Sequence, residues 1–223
     1  MNLFRPNPIY ILLAVPLLAL FSCKKLPETD FTYTPIDKPE AGEFIQFENT
    51  TPEASAFQWD FGDGATSSQE NPTHKFNNPA VYEVKLTATN DAGDQSKSNS
   101  IIINAPTILA FYILDSTEVN LLEGADVWVY DNQTDWDNFA EPMWTALTNA
   151  NGEASFSNME PMVYYIWAFK EVEGGMWVSG GYTQTIVQNE ENWFTVPCAW
   201  LADDATKASP KYADPVKLIR RME

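Results

Sequence analysis

The chain has 223 residues, with 31 acidic against 13 basic side chains, a formal charge of −18 and 13% aromatic residues. A surface this acidic disfavours nucleic acid as a partner, because polyanion binding needs clustered Lys and Arg. Two cysteines cannot build a disulfide framework. After removal of an N-terminal leader, the remaining length suits one or two domains.

The N-terminal segment predicts export. Arg5 precedes an apolar run at residues 9–21, which has signal-peptide length and is shorter than a membrane-spanning helix. The run ends in Leu20-Phe21-Ser22-Cys23 and resembles a bacterial lipoprotein signal, with Leu three places before the cysteine and a small residue directly before it. The resemblance implies that residues 1–22 are removed and that Cys23 carries acyl chains such as palmitate. The alternative is an ordinary secretory peptide whose apolar region ends in Cys.

The lipid expected on Cys23 makes the membrane a partner, since two or more acyl chains hold a protein stably at a bilayer. The resemblance implies the cell envelope of a Gram-negative bacterium. Lys24 and Lys25 stand where many inner-membrane lipoproteins have Asp, which favours the outer membrane. Residues 23–39 combine three prolines with mixed charge and predict an extended tether between the lipid and the first domain.

Residues 40–104 have the pattern of strands and turns. Alternation is clearest at residues 82–89, where Tyr, Val, Leu and Ala alternate with polar residues and one face is expected to be buried. Three segments resemble the polycystic kidney disease (PKD) domain: WDFGDG at 59–64, NPTHKF at 71–76, and YEVKLTATN at 82–90 followed by Gly93. The resemblance implies a seven-stranded immunoglobulin-like sandwich with Phe57, Trp59 and Phe61 in its core.

Asn104-Ala105-Pro106 interrupts this pattern and predicts a domain boundary. Residues 106–200 are again rich in strand patterns, without a long amphipathic helix. GADVWVY at 124–130 and TNANGEASF at 148–156 resemble the carboxypeptidase-regulatory or transthyretin-like sandwich group. The predicted fold class is therefore all-β, with two consecutive β-sandwich domains. Residues 201–223 are polar and predict a C-terminal tail.

Catalysis is hard to build from these residues, and we predict no enzyme activity, no cofactor and no metal. His74, the one histidine, falls in a PKD-like turn, without a nucleophile and an acid spaced around it. Residues 131–138 are rich in oxygen ligands but lack the Gly and the final Glu of an EF-hand, which favours a solvated loop over a calcium site. Cys198 shares strand parity with Phe194 and Val196, so we expect a small buried apolar side chain.

Seven of the eight tryptophans lie in the second domain, more than one small sandwich core requires. Asp126, Trp128 and Tyr130 share one parity of a strand, and Asp126 predicts that this face is wet. We therefore predict that Trp128, Tyr130 and Trp136 form a ligand-binding surface, because exposed aromatic side chains suit sugars and protein hot spots. The alternative is that the loop at residues 131–143, or the first domain, covers this face.

Together these features predict a non-catalytic, lipid-anchored cell-envelope protein that acts as an interaction or scaffold module and binds a protein or a glycan. Two alternatives remain: a glycan-capturing lipoprotein of a polysaccharide-uptake system, and an accessory subunit of a hydrolase. Neighbouring genes for transporters and glycoside hydrolases would favour glycan capture, and secretion or motility genes would favour scaffolding.

Overall fold

The computed structural model describes residues 25–202 and the backbone of residues 216–217. Cys23 and the predicted leader lie outside these residues. The described fold is all-β, with one five-residue helix among the strands of residues 25–202, which confirms the predicted fold class. No helix within this described part is long and apolar enough to cross a membrane.

The first sandwich contains seven strands in two sheets. They are β1 (Phe31–Thr34), β2 (Ile45–Asn49), β3 (Ala56–Asp60), β4 (Thr66–Ser67), β5 (Thr73–His74), β6 (Ala80–Asn90) and β7 (Gly93–Ile103). The sheet orders are β1-β2-β5 and β4-β3-β6-β7. Trp59 is fully buried between them, Phe61 is buried beside it, and Phe57 packs against the same cluster. The predicted core positions are confirmed, because alternate residues of a strand face the same side.

Part of the predicted tether is a strand. β1 pairs antiparallel with β2, from Phe31 opposite Asn49 to Thr34 opposite Gln46. The Phe31 ring lies 5.1 Å from that of Trp59, and its side chain is buried. The prediction of an extended tether over residues 23–39 is therefore wrong for residues 31–34, since burial of Phe31 favours the paired strand.

The turn after β3 is built by glycine and aspartate. Gly62 and Gly64 have φ angles of 79° and 95°, a region that glycine adopts without steric cost. A Cβ atom on Gly62 would lie 2.8 Å from the Glu83 carbonyl oxygen. The carboxylates of Asp60 and Asp63 accept hydrogen bonds from the backbone of Gly62 and Ala65. These acids therefore cap the turn.

The second sandwich packs a three-stranded sheet on a larger one. Its elements are β8 (Ile108–Leu114), β9 (Asp126–Tyr130), α1 (Gln133–Asp137), β10 (Trp144–Leu147), β11 (Glu153–Ser157), β12 (Tyr165–Val172), β13 (Gly175–Tyr182), β14 (Glu191–Pro197) and β15 (Ala199–Ala202). The sheet orders are β11-β8-β14 and β10-β9-β12-β13-β15, and β14 runs parallel to β8. Cys198 belongs to the core between them, as expected, and burial raises the pKa of its thiol to about 12.

The C-terminal region begins inside a strand, because β15 extends to Ala202. A further strand, β16 (Val216–Lys217), pairs in parallel with β13 at Gly181 and Tyr182. The predicted tail at residues 201–223 therefore contributes backbone to the large sheet at both of these places. Residues 203–215 and 218–223 lie outside the described part.

One buried carboxylate joins the two sandwiches. Glu40 lies at the end of the first sandwich and is only 7% exposed. Its two carboxylate oxygens accept hydrogen bonds from the Thr107 backbone N–H at 2.8 Å, the Thr107 hydroxyl at 2.5 Å and the Asn189 amide at 3.0 Å. The Asn158 amide donates to the neighbouring Ala41 carbonyl at 3.1 Å. Charge-assisted hydrogen bonds of this kind are stronger than neutral ones. Glu40 and Ala41 of the first sandwich are therefore bonded to three segments of the second sandwich.

The strand directions place Lys25, the first described residue, and the second sandwich at opposite ends of the first sandwich. β7 ends beside the junction, where Asn104 bridges Glu40. The turn between β6 and β7 lies at the far end, and there the Asn90 amide donates to the Lys25 carbonyl at 2.9 Å. Eleven residues of β7 span about 35 Å, so the described chain enters about that far from the second sandwich.

Candidate functional site

The outer face of the large sheet carries aromatic side chains on two neighbouring strands. β9 and β12 pair antiparallel, which sets Trp128 opposite Trp167 and Tyr130 opposite Tyr165. Val127 and Val129, of the other parity on β9, belong to the core between the sheets. Trp128 and Tyr130 therefore lie on the face that points away from that core, as their parity predicts.

A short helix covers much of this face. The Asn132 side chain caps α1 by accepting a hydrogen bond from the Asp135 backbone N–H at 2.9 Å, a favoured role for Asn. The helix lays Trp136 on Trp167, with ring centroids 4.9 Å apart and an interplanar angle of 18°. Phe139 stacks on the same ring at 4.9 Å and 20°. The result is a small aromatic cluster outside the sheet.

The cluster buries two of the three predicted ligand-binding residues. Tyr130 is 1% exposed and Trp136 is 3% exposed. The Trp136 indole N–H donates to the Ile166 carbonyl at 2.8 Å, and the Tyr130 hydroxyl donates to the Ala140 carbonyl at 3.1 Å. The prediction that these two side chains are exposed is wrong, because residues 131–143 fold back over the sheet. This loop covers Tyr130 and accepts its hydroxyl bond, and it lays its own Trp136 against β12, where Ile166 accepts the indole bond.

Trp128 remains accessible in part. It is half-buried and meets Phe169 edge to face, with ring centroids 4.9 Å apart. Asp126 lies in register between Phe169 and Leu147, and the Leu147 side chain is 65% exposed. Burial, and then the charge of Glu171, raise the pKa of Asp126. Asp126 therefore marks a partly wet face, and ligand binding by Trp128 stays a prediction.

The sequence patterns did not predict three residues of this face: Phe139, Trp167 and Phe169. Parity offered a signal for two of them, because Tyr165, Trp167 and Phe169 alternate along β12 as Trp128 and Tyr130 do along β9. The Trp167 ring lies across Gly180, where an added Cβ would be 2.1 Å from the ring. Small size at Gly180 thus makes room for the cluster, which no local pattern reveals.

His74 has a structural setting in the first sandwich. Its Nε2 atom lies 2.8 Å from an Asp63 carboxylate oxygen, and its ring stacks on Phe61 at 4.0 Å. Burial raises the pKa of Asp63, but hydrogen bonds from the Ala65 backbone and from His74 outweigh it and hold that pKa below its usual value. The imidazole therefore ties the turn after β3 to β5.

The oxygen-rich segment at residues 131–138 forms the start and body of α1. Its Asn132 amide donates to the Asp131 and Asp135 carboxylates, both at 2.8 Å. Within residues 25–202, no group of three or more His, Cys, Asp or Glu side chains is arranged to hold a metal ion. The polar atoms of this segment thus serve helix capping.

A cleft of about 500 Å³ lies beside the junction of the two sandwiches. It is lined by Pro35, Asp37, Lys38, Glu40, Glu43, Asn158, Met159, Glu160, Pro161 and Gln188. Lys38 donates across it to the Gln188 side chain at 3.2 Å. The oxygens of Glu40 are already bonded to Thr107 and Asn189, so we assign the cleft to the joint between the sandwiches.

Comparison with known proteins identifies the first sandwich. Residues 27–104 match the family model of the PKD domain. The first sandwich is a PKD domain. The match begins before β1, which agrees with the pairing of that strand in the sheet.

Three similar proteins carry related sequence. Collagenase ColA of Clostridium perfringens is 42% identical over 57 residues, covering 24% of this chain and 5% of the collagenase. Collagenase ColQ1 of Bacillus cereus is 27% identical over 161 residues, covering 53% of this chain and 16% of the collagenase. The crystal structure of the PKD1 domain from the Vibrio cholerae metalloprotease PrtV is 27% identical, with a TM-score of 0.31, and covers 35% of this chain and 98% of that domain. The chain thus spans at most 16% of the length of these collagenases.

Proposed function

We propose that the protein is a non-catalytic, lipid-anchored interaction module of the cell envelope. One observation carries this proposal: the described chain enters at the end of the PKD domain opposite the second sandwich, where Asn90 holds Lys25. Cys23 is two residues before Lys25 in the sequence. A lipid on Cys23 would therefore hold that end at the membrane and leave the second sandwich pointing away from it.

The junction supports a role for the PKD domain as a spacer. Glu40 fixes the second sandwich through Thr107 and Asn189, so the orientation set at the anchored end is carried to the other end. A spacer of this kind positions the surface of the second sandwich and takes no part in catalysis. The partner is then a protein or a glycan that reaches the second sandwich, and the outer membrane of a Gram-negative bacterium is the proposed site.

Fractionation of cells tests the anchor. Cys23→Ala should move the protein from the membrane pellet to the soluble fraction, because it removes the acylated sulfur. Cys198→Ala is the matched control, since its side chain is buried in the core and should leave the protein in the pellet. A Cys23→Ala variant that pellets like the wild type contradicts the anchor.

Glycan capture is a second candidate, and the half-buried Trp128 beside Phe169 favours it. Aromatic rings on a sandwich surface stack on sugars. Trp128→Ala should then abolish signals on a glycan array, whereas Phe44→Ala, which truncates an aromatic side chain that is 70% exposed on the PKD domain, should leave them unchanged. Equal signals from both variants and the wild type would contradict glycan binding at Trp128.

The third candidate is an accessory subunit of a hydrolase. Its support is that the matching segments occur within proteins named collagenases. Purification of the tagged wild-type protein with a bound hydrolase, and loss of that hydrolase's activity on its substrate when the protein is deleted, would favour this candidate over the first.

A further inference from the structure

The strands of the second sandwich assign its loops to two ends. β8 starts beside the junction and ends at Leu114, β9 starts next to that end, and β12 runs antiparallel to β9. The loops at residues 115–124 and 148–152 and the β12–β13 hairpin at 172–175 therefore lie at the end away from the PKD domain. We call this end the distal pole.

The distal pole gathers exposed apolar side chains. Residues 106–202 contain seven exposed large hydrophobic side chains, and five of them lie at this pole: Val119 (76%), Leu147 (65%), Leu121 (47%), Trp200 (40%) and Val172 (39%). The neighbouring loops are tied together, since the Lys170 ammonium contacts the Glu123 carbonyl and the Gly124 N–H donates to the Thr148 carbonyl at 2.9 Å. Leu147 and Trp200 lie on the two outer strands of the large sheet, β10 and β15. Val119 and Leu121 lie together on the loop at residues 115–124, and we call these two side chains the apolar centre. Neighbouring exposed apolar side chains mark a partner surface.

The loop that carries Val119 is held in one conformation. The Asp115 carboxylate accepts hydrogen bonds from the Thr117 hydroxyl and the Asn120 amide, both at 2.6 Å. It also accepts one from the Thr117 backbone N–H at 3.0 Å. A loop already ordered loses less conformational entropy when a partner binds. Val119 is therefore presented on a fixed support.

Acidic side chains surround these apolar residues. Glu118, Glu123, Glu171 and Glu173 are exposed at the distal pole. Residues 106–202 contain fourteen Asp and Glu and one lysine, a formal charge of −13. That lysine, Lys170, already contacts the Glu123 carbonyl. The pole thus combines the apolar centre, Val119 and Leu121, with a negative rim.

We propose that the distal pole docks a second protein whose surface has an apolar patch rimmed by Lys and Arg. Charge complementarity selects this occupant, because opposite charges at a rim steer association and like charges oppose it. A bilayer with anionic headgroups carries the same sign as the pole. A second copy meeting pole to pole would also place acid against acid. This proposal deepens the proposed function, on which it rests for the outward orientation of the pole.

Photocrosslinking in cells, followed by binding of the identified partner, tests the proposal. A photoreactive residue replaces Val119 in the full chain, and the same residue at Val81, 66% exposed on the PKD domain, is the matched control. We expect an adduct at Val119 that is missing at Val81. Mass spectrometry identifies the adduct, and the purified partner is then titrated against the purified full chain at several salt concentrations.

Charge reversal separates the rim from the apolar centre. Glu118→Lys with Glu173→Lys should weaken binding about tenfold or more and reduce its salt dependence. Glu48→Lys with Glu83→Lys, on the exposed surface of the PKD domain, should change neither. Val119→Asp should also weaken binding about tenfold, with far-ultraviolet circular dichroism unchanged.

Each other result overturns the proposal. It is overturned if Val119 and Val81 give equal adducts, or if the adduct is another copy of this chain. It is also overturned if the charge reversal leaves binding unchanged. Flotation of the unacylated Cys23→Ala chain with phosphatidylglycerol vesicles but not with phosphatidylcholine vesicles would assign the pole to lipid instead. Failure of the anchor alone shows itself differently, as Cys23→Ala protein that stays in the membrane pellet while the adduct persists.

Discussion

The two sandwiches differ in where their aromatic side chains lie. In the PKD domain, Phe31, Phe47 and Trp59 meet in one interior cluster. In the second sandwich, one set fills the interior, and a second set around Trp136 and Trp167 lies outside the large sheet, under a helix. The face of a strand residue therefore follows from alternation, but whether that face is wet depends on what folds over it.

Truncation of Trp59 should give the largest effect. Its side chain is fully buried and its indole N–H donates to the Gln69 carbonyl at 2.9 Å. Trp59→Ala should lower the free energy of unfolding by about 3 to 5 kcal/mol, measured by urea melts of the full chain. Phe44→Ala, at a 70% exposed position, should cost less than about 0.5 kcal/mol. Similar midpoints for both variants would show that this core is not organised around Trp59.

Glu40 tests whether the two sandwiches unfold together. Glu40→Ala leaves the Thr107 N–H and the Asn189 amide without their carboxylate, which should cost about 2 to 3 kcal/mol. We expect the wild type to unfold in one calorimetric transition and the Glu40→Ala variant to unfold in two. Glu43→Ala, a neighbouring acid that lines the cleft, is the control and should keep one transition. A Glu40→Ala protein with one unchanged transition would mean that other contacts hold the joint.

Truncations of Trp136 and Trp128 compare a buried with a half-buried aromatic side chain on the same face of the large sheet. Trp136→Ala removes the stack on Trp167 and the bond to the Ile166 carbonyl. It should lower the free energy of unfolding by about 2 kcal/mol, which is less than for an interior Trp, because α1 can move into the space that the ring leaves. Trp128→Ala, at a half-buried position, should cost about 1 kcal/mol or less. Hydrogen exchange should show faster opening of α1 only in the first variant. Equal costs would place both rings in the same environment.

Alternation along β3 and β6 was enough to predict the core of the PKD domain, because Trp59, Val84 and Leu86 lie on strands with one buried face. It could not predict β1, since Phe31 lies in a segment with prolines and becomes buried only through pairing with β2. Most of β7 is polar and shows no alternation of apolar residues, although pairing with β6 extends along all eleven residues.

At the candidate site, too, alternation predicts the face of a strand residue but not its burial. The parity of Trp128 and Tyr130 correctly gave their face, but the cover over Tyr130 comes from a loop whose sequence reads as polar. Burial of Trp136 depends on its stacking against Trp167, 31 residues later in the chain, and on Gly180 leaving space for the Trp167 ring across the β12–β13 hairpin. Local patterns carry no information about such contacts.

The smallest predicted effect concerns two aspartates of the second sandwich with opposite shifts. The Thr117 hydroxyl and then the Asn120 amide lower the pKa of Asp115 from 3.8 to about 2, whereas burial and Glu171 raise that of Asp126. Between pH 3.8 and 2 the folded state keeps Asp115 ionised while the unfolded chain binds the proton. The Asp115 contribution to stability is therefore complete above about pH 4 and is lost as the pH falls toward 2.

Thermal melts of the wild type and Asp115→Asn between pH 6 and 2 measure this contribution. The variant should melt lower than the wild type at pH 6, and the difference should shrink toward pH 2, where Asp115 becomes protonated. Glu118→Gln, at an exposed position of the same loop, is the control and should melt at pH 6 like the wild type. Thr117→Val removes the hydroxyl that contributes most to lowering the pKa of Asp115, and it should move the acid transition upward, toward 3.8. A constant difference between wild type and Asp115→Asn across this range would show that Asp115 stabilises the loop by shape alone, without its charge.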